Sequence, residues 1–185
     1  MFTKMAAKLE KIIIIPEHVE VHIENNLVKL KGPKGHTEKK LKHPAIIIKS
    51  ENNTIHLIAD NDSKKEKRVI NTFAAHIKNL ITGVKEGYQY TLKICSGHFP
   101  MTVTVEGKSV IIKNFLGEKI PRRANIIADT KVEIKGSDII VSGINKEEAG
   151  ETASNMEKAT RITNRDRRVF MDGLWITSKA GRKIR

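Results

Sequence analysis

The chain spells out one structural unit twice. The segment from Val19 to Lys31 (Val-Glu-Val-His-Ile-Glu-Asn-Asn-Leu-Val-Lys-Leu-Lys) aligns with the segment from Met101 to Lys113 (Met-Thr-Val-Thr-Val-Glu-Gly-Lys-Ser-Val-Ile-Ile-Lys) at an offset of 82 residues. Gly35 falls on Gly117 at that same spacing, and Thr54-Ile-His-Leu-Ile falls on Asp138-Ile-Ile-Val-Ser after a slip of two residues. A length of 185 residues suits either one large domain or two small ones, since domains span roughly 50–250 residues. The repeat decides for two.

Each copy has strand periodicity first and helix periodicity later. Val19, Val21 and Ile23 alternate with polar residues, as do Val103 and Val105, which reads as strands with one face toward a core. Asn25-Asn26 and Gly107-Lys108 supply the turns of an opening hairpin in each copy. A first helix is marked by Ser63 with Glu66 three residues on, by a stripe of Val69, Ile70, Phe73, Ala74, Ile77, Leu80 and Ile81, and by Gly83 as a stop. A second is marked by Asn145 with Glu148 and by the small inward face Ala149, Ala153, Met156 and Ala159. The expected fold is α+β: two tandem duplicated modules, each a small antiparallel sheet packed against a helix. The expected boundaries are 1–85 for the first module, 86–177 for the second and 178–185 for a mobile basic tail. The strand from Tyr88 to Ile94 is expected in the first sheet or as a bridge between the two.

Charge distinguishes the copies. The net charge is +13, and eight of the nine arginines lie in the second half. From residue 161 onward eight basic side chains face two acidic ones: Arg161, Arg165, Arg167, Arg168, Lys179, Arg182, Lys183 and Arg185 against Asp166 and Asp172. Arginine's planar fork meets phosphate through paired hydrogen bonds and its face stacks on bases, whereas lysine is a hydrated point charge. The pattern points to a phosphate-bearing partner. Arg122 and Arg123, stiffened by Pro121, are further phosphate contacts on this reading.

Other chemistries find few parts. The run Ile12 to Ile15 is far shorter than the roughly 18 apolar residues of a membrane span, no signal-peptide core is present, and the lone Cys95 excludes an internal disulfide, so an intracellular protein is expected. His98 is near Cys95, but one cysteine completes no zinc set. His18 and His22 alternate as in a strand, where residues four apart are about 13 Å distant, so no metal is expected. Gly32-Pro-Lys-Gly35 reads as a turn, because proline removes a donor from any phosphate cradle. Glu147, Glu148 and Glu151 suit the opening turns of a helix, where negative charge meets the dipole. The runs Lys39-Lys-Leu-Lys and Lys64-Lys-Glu-Lys-Arg68 read as solvated surface. Phe170 and Trp175 are expected to complete the core. A hydrolase lacks paired aspartates, a Ser-His-Asp set and a glycine-rich nucleotide loop. A regulatory module that docks acidic partners or headgroups through its basic end is the second rival, and ribonuclease sensitivity separates it from an RNA binder.

His98-Phe-Pro, Ile111-Ile-Lys-Asn-Phe-Leu-Gly-Glu-Lys119 and Ala159-Thr-Arg-Ile-Thr-Asn-Arg-Asp-Arg-Arg-Val-Phe-Met-Asp-Gly-Leu-Trp-Ile-Thr177 resemble the family of large-subunit ribosomal proteins numbered six in the universal scheme and nine in the eukaryotic one. Pro16 and Val28-Lys-Leu-Lys-Gly-Pro-Lys-Gly35 agree, and the resemblance covers residues 9–177 in a form similar to the eukaryotic rather than the bacterial branch. The loop Asp60-Asn-Asp-Ser-Lys-Lys-Glu66 lacks a tryptophan pair that many eukaryotic members carry, and nothing past Thr177 aligns.

The resemblance implies a structural constituent of the ribosome, cytoplasmic and assembled in the nucleolus, with no turnover, no cofactor and no small-molecule substrate. It implies that the second domain docks on large-subunit rRNA beside the sarcin-ricin loop and the stalk base, among neighbouring ribosomal proteins, while the first lies outward. Position carries over Lys113, Lys119, Arg122, Arg123, Arg161, Arg165, Arg167 and Arg168 as RNA contacts. Lys158, Lys179, Arg182, Lys183 and Arg185 extend the basic set on charge.

Overall fold

The computed structural model describes residues 9–24, 26–51, 53–61 and 63–184. The chain divides between Glu86 and Gly87 into two compact units. In the first, β1 (Leu9–Ile14), β2 (Glu20–Glu24), β3 (Leu27–Gly32), β4 (Gly35–Lys40), β5 (Ile46–Glu51) and β6 (Thr54–Ala59) precede one helix, α1 (Lys64–Lys85). They form two three-stranded antiparallel sheets, ordered β1-β6-β5 and β2-β3-β4. In the second unit, β7 (Tyr88–Cys95), β8 (Thr102–Glu106), β9 (Ser109–Lys113), β10 (Arg122–Asn125), β11 (Lys131–Lys135) and β12 (Asp138–Gly143) lead to α2 (Lys146–Ala159), and β13 (Gly173–Lys179) and β14 (Arg182–Lys183) follow it. Its sheets are ordered β8-β9-β10 and β11-β12-β7-β13-β14.

The architecture is α+β and duplicated, and the repeat extends to strand register. Val21 sits opposite Leu30 in the first unit, and Val103 sits opposite Ile112 in the second, the same pair moved by the repeat offset. The slipped match is kept as well, with β6 and β12 each lying between two antiparallel neighbours. Two sheets per module replace the single sheet expected, because the alternating face of each hairpin buries its own residues. Val28 and Leu30 in the first unit and Val110 and Ile112 in the second are at most 1% exposed.

β7 follows α1 directly in the chain, yet it is the central strand of the second unit's larger sheet, neither part of the first sheet nor a bridge. Its inward residues Tyr90 and Leu92 pack with Ile139, Val141 and Leu174, and α2 covers them with Ala149, Ala153 and Met156. α1 also runs past the expected stop at Gly83, which is buried within the helix; the chain turns at Gly87, whose φ of +80° suits glycine. Ser63 caps α1 by accepting from the Lys65 amide and bonds the Glu66 carboxylate. Asn145 caps α2 by accepting from the Glu147 amide at 3.0 Å while donating to Glu148 at 2.9 Å. Asn25, of the first expected turn, lies outside the described residues.

The second unit differs from the first by an addition. In the first, β1 is a sheet edge; in the second, the equivalent β7 pairs with β13 on that side, and β14 extends the sheet. The basic end, read from the sequence as a mobile tail, is therefore a hairpin: Ser178 pairs with Lys183 and Lys179 with Arg182, around Ala180-Gly181. Because Leu92 is fully buried at the centre of this sheet, Leu92→Ala is expected to lower the unfolding free energy by about 2–5 kcal/mol. Chemical denaturation checks this, and a loss below about 1 kcal/mol contradicts the packing described.

Candidate nucleic-acid interface

The connection from α2 to β13, residues 160–172, exists because the second unit has an extra strand, and it carries four arginines. Both ends are tied. At its start the Thr160 hydroxyl donates to the Glu157 carbonyl (3.2 Å) and accepts from the Leu174 amide (2.9 Å). At its end Asp172, 3% exposed, accepts from the Gly97 amide (2.6 Å), the His98 amide (3.0 Å) and His98 Nδ1 (2.6 Å). Burial pushes the Asp172 carboxyl up, but the bonds from His98 and Gly97 outweigh it and hold the group below its ordinary value. Gly173 then takes φ +137°, and a β-carbon there would meet the Thr160 hydroxyl oxygen at 3.1 Å.

Between the ties the loop is organised around Asp166. Its carbonyl accepts from the Val169 and Phe170 amides, and its carboxylate accepts from the Arg168 amide and guanidinium. That last pair holds the Asp166 carboxyl below its usual range. Arg168 nonetheless leaves 91% of its side chain in solvent, and exposed ion pairs are worth little, so an incoming anion can displace this one. Phe170 stacks on His98 with ring centroids 4.6 Å apart, and the Arg165 guanidinium lies over the Phe170 ring, 4.8 Å from its centroid. Arg167 lies 5.6 Å from the Trp175 ring centroid. The guanidinium groups are thus positioned by aromatic faces, with donor edges left for a ligand.

The structure separates the expected basic residues into groups. Arg161, Arg165, Arg167 and Arg168 are exposed on the loop, with Lys158 in the last turn of α2. Arg123 is exposed on β10, next to Arg122, whose fork reaches the start of the loop. Lys113, at the end of β9, and Lys119, before β10, are exposed on the strand-connecting turns of the smaller sheet. Lys179, Arg182 and Lys183 sit at the opposite end of β13 from the loop, about 20 Å away at the usual strand rise. Arg185 lies outside the described residues.

Arg122 departs from its expected role. Its Nε and one terminal nitrogen grip the Glu118 carboxylate at 2.7 and 2.6 Å, its other terminal nitrogen donates to the Ala159 and Arg161 carbonyls, and its plane lies 4.3 Å from the Phe115 centroid. Its fork is spent on joining β10 to the end of α2. The bond from Arg122 holds the Glu118 carboxyl below its ordinary value, against the upward push of burial. Trp175 and Phe170 also differ from expectation. Phe170 packs on the core edge, but Trp175 projects from the face opposite Leu174 and Ile176, into a cleft of about 780 Å³ that Lys93, Arg167 and Met171 also line. Sequence reasoning weighed His98 only beside Cys95 and gave Asp172 no role. An acid between apolar Met171 and Leu174 was the available signal, since a carboxylate so placed needs internal partners.

The turn at Gly32-Pro-Lys-Gly35 is docked on α1: the Lys34 amide donates to the Val84 carbonyl at 3.0 Å, and a β-carbon on Gly32 would meet that oxygen at 2.9 Å. The described residues hold no group of three His, Cys, Asp or Glu side chains able to bind a metal ion, and no helix long and apolar enough to cross a membrane.

Two outcomes test these ties. Arg122→Lys keeps the charge but loses the fork, and is expected to lower stability by about 1.5–3 kcal/mol; an unchanged denaturation midpoint contradicts the structural role. Because the folded-state pKa of Asp172 is depressed, its stabilisation is complete above the unfolded value of about 3.9 and is lost as pH falls through the folded value. Asp172→Asn should therefore flatten the acid limb of a stability-against-pH curve below about pH 4, and an acid limb of unaltered steepness refutes the tie.

A family model described as Ribosomal protein L6 matches residues 15–87 and again 99–173, once in each unit. The chain is 45% identical over 176 residues to the large ribosomal subunit protein uL6 of Methanosarcina mazei, a match covering 95% of this chain and 100% of that protein. It is 46% identical over 175 residues to the proteins of that name from Archaeoglobus fulgidus (92% of this chain, 89% of that protein) and Methanobrevibacter smithii (95% and 98%). These relatives are archaeal. The doubled match, one per unit, shows that this chain belongs to the Ribosomal protein L6 family, whose members are structural components of the ribosome and not enzymes.

Proposed function

We propose that the protein is a structural constituent of the large ribosomal subunit whose second unit, residues 87–184, binds large-subunit rRNA through the loop between α2 and β13. One observation carries this reading: the loop is fixed at both ends while Arg161, Arg165, Arg167 and Arg168 remain exposed. A preorganised array of forked donors meets phosphate oxygens at a smaller entropy cost than a mobile tail. Folded RNA suits it, because a deep major groove hides the base edges and leaves shape and phosphate geometry to be read.

Lys158 and Arg123 flank the loop and extend the set; Lys113 and Lys119 form its outer margin. Lys179, Arg182 and Lys183 would meet a separate stretch of phosphate, given their distance along β13. Arg122 is left out, because four of its five N–H donors are engaged internally. A site beside the sarcin-ricin loop and stalk base follows from family resemblance and is part of this proposal, as are neighbouring ribosomal proteins as partners. Assembly is proposed without a nucleolar step, the relatives named being archaeal. The first unit is proposed to face outward or toward protein neighbours. Its supports are a single arginine, Arg68, and an open sheet face on which Ile12 is 55% and Ile14 76% exposed.

Replacing Arg165, Arg167 and Arg168 together by alanine should weaken binding to a large-subunit rRNA transcript. It should also shallow the dependence of log K on log salt by about two to three units. Filter binding across a salt series measures both, and unaltered affinity and slope would sink the assignment.

A further inference from the structure

Trp175 is the single tryptophan of the chain. Strand alternation turns it away from the core, beside its cross-strand partner Lys93 on the open face of the five-stranded sheet. Its indole nitrogen donates to the Met171 carbonyl at 2.9 Å, so the ring is oriented before any ligand arrives. The cleft it lines, about 780 Å³, falls within the roughly 300–1,000 Å³ of small-ligand sites. Met171, 63% exposed, supplies a second apolar surface.

The charge around the cleft selects its occupant. Lys93, Arg167 and Arg168 line it, and the one carboxylate among its lining residues, Asp172, is spent on Gly97 and His98. An aromatic surface ringed by cations, with no unengaged carboxylate, matches a flat base joined to phosphates. Unpaired bases of folded RNA are held in this way, stacked on aromatic rings and guanidinium planes. A fully paired helix presents no base face to such a cleft.

We infer that the Trp175 cleft receives one unstacked nucleotide of the RNA, its base against the indole and its phosphates against Lys93 and Arg167. The inference rests on the reading that the second unit binds RNA, and it adds a structural preference to that reading: helices interrupted by an extruded base over continuous ones.

The lone tryptophan makes the site its own reporter. Full-length protein is titrated with two hairpin RNAs of the same sequence, one fully paired and one carrying a single bulged adenosine. The bulged hairpin should quench tryptophan emission and bind roughly tenfold tighter. Trp175→Leu should abolish the preference for the bulged hairpin, and Trp175→Phe, which keeps an aromatic face beneath Arg167, should retain most of it. Equal affinities with unquenched emission would overturn the inference and leave the phosphate-binding loop intact. Failure of both hairpins to bind at low salt would overturn the RNA reading and this inference with it.

Discussion

Asp172, almost removed from solvent, draws two backbone amides and the His98 imidazole onto one carboxylate, and that tie fixes the end of the arginine-bearing loop. Removing a partner from a buried carboxylate leaves an uncompensated charge, a large penalty on the scale of a domain's stability. The same contact sets His98 against Phe170, and Phe170 in turn supports Arg165. A single buried carboxylate and its hydrogen bonds thus connect outward through two rings to a surface guanidinium. The chemistry of the site is positioning.

Duplication supplies the scaffold, and divergence supplies the candidate site. Both units bury a helix stripe against antiparallel strands in matching register, so each copy's stability comes from ordinary apolar packing. The first unit ends with its helix. The second continues, and the strand it adds to the free edge of β7 returns the chain across the sheet. The loop needed for that return is where the arginines lie, and an added edge strand also blunts an exposed ladder that would otherwise invite unwanted pairing. In the first unit nothing equivalent follows α1, which agrees with its nearly arginine-free composition.

Much of this was readable from residues alone, and the misreadings have identifiable physical causes. The helical stripe from Val69 to Ile81 records burial directly, and alternation at Val103 and Val105 marked a strand although Val105 is 39% exposed, so strands and helices were visible. The sheet that Tyr88 to Cys95 joins was not, because pairing partners are long-range and β7 is sequence-adjacent to the wrong unit. For Arg122, composition cannot distinguish a fork aimed at solvent from one closed on Glu118 and two carbonyls. Trp175 was a different case: its place between Leu174 and Ile176 already put it on the opposite face of a strand, but aromatic bulk outweighed the alternation. The basic end looked like a tail since charge masked the Ala180-Gly181 turn, where both residues take positive φ.

The account stands on the loop between α2 and β13 lying against RNA, and ultraviolet crosslinking of the intact large subunit, with the crosslinked peptides identified, tests that most directly. Crosslinks concentrated in residues 161–175 are the predicted result. A subunit that contains the protein yet yields crosslinks solely from residues 9–86, with the loop arginines unattached, would contradict it.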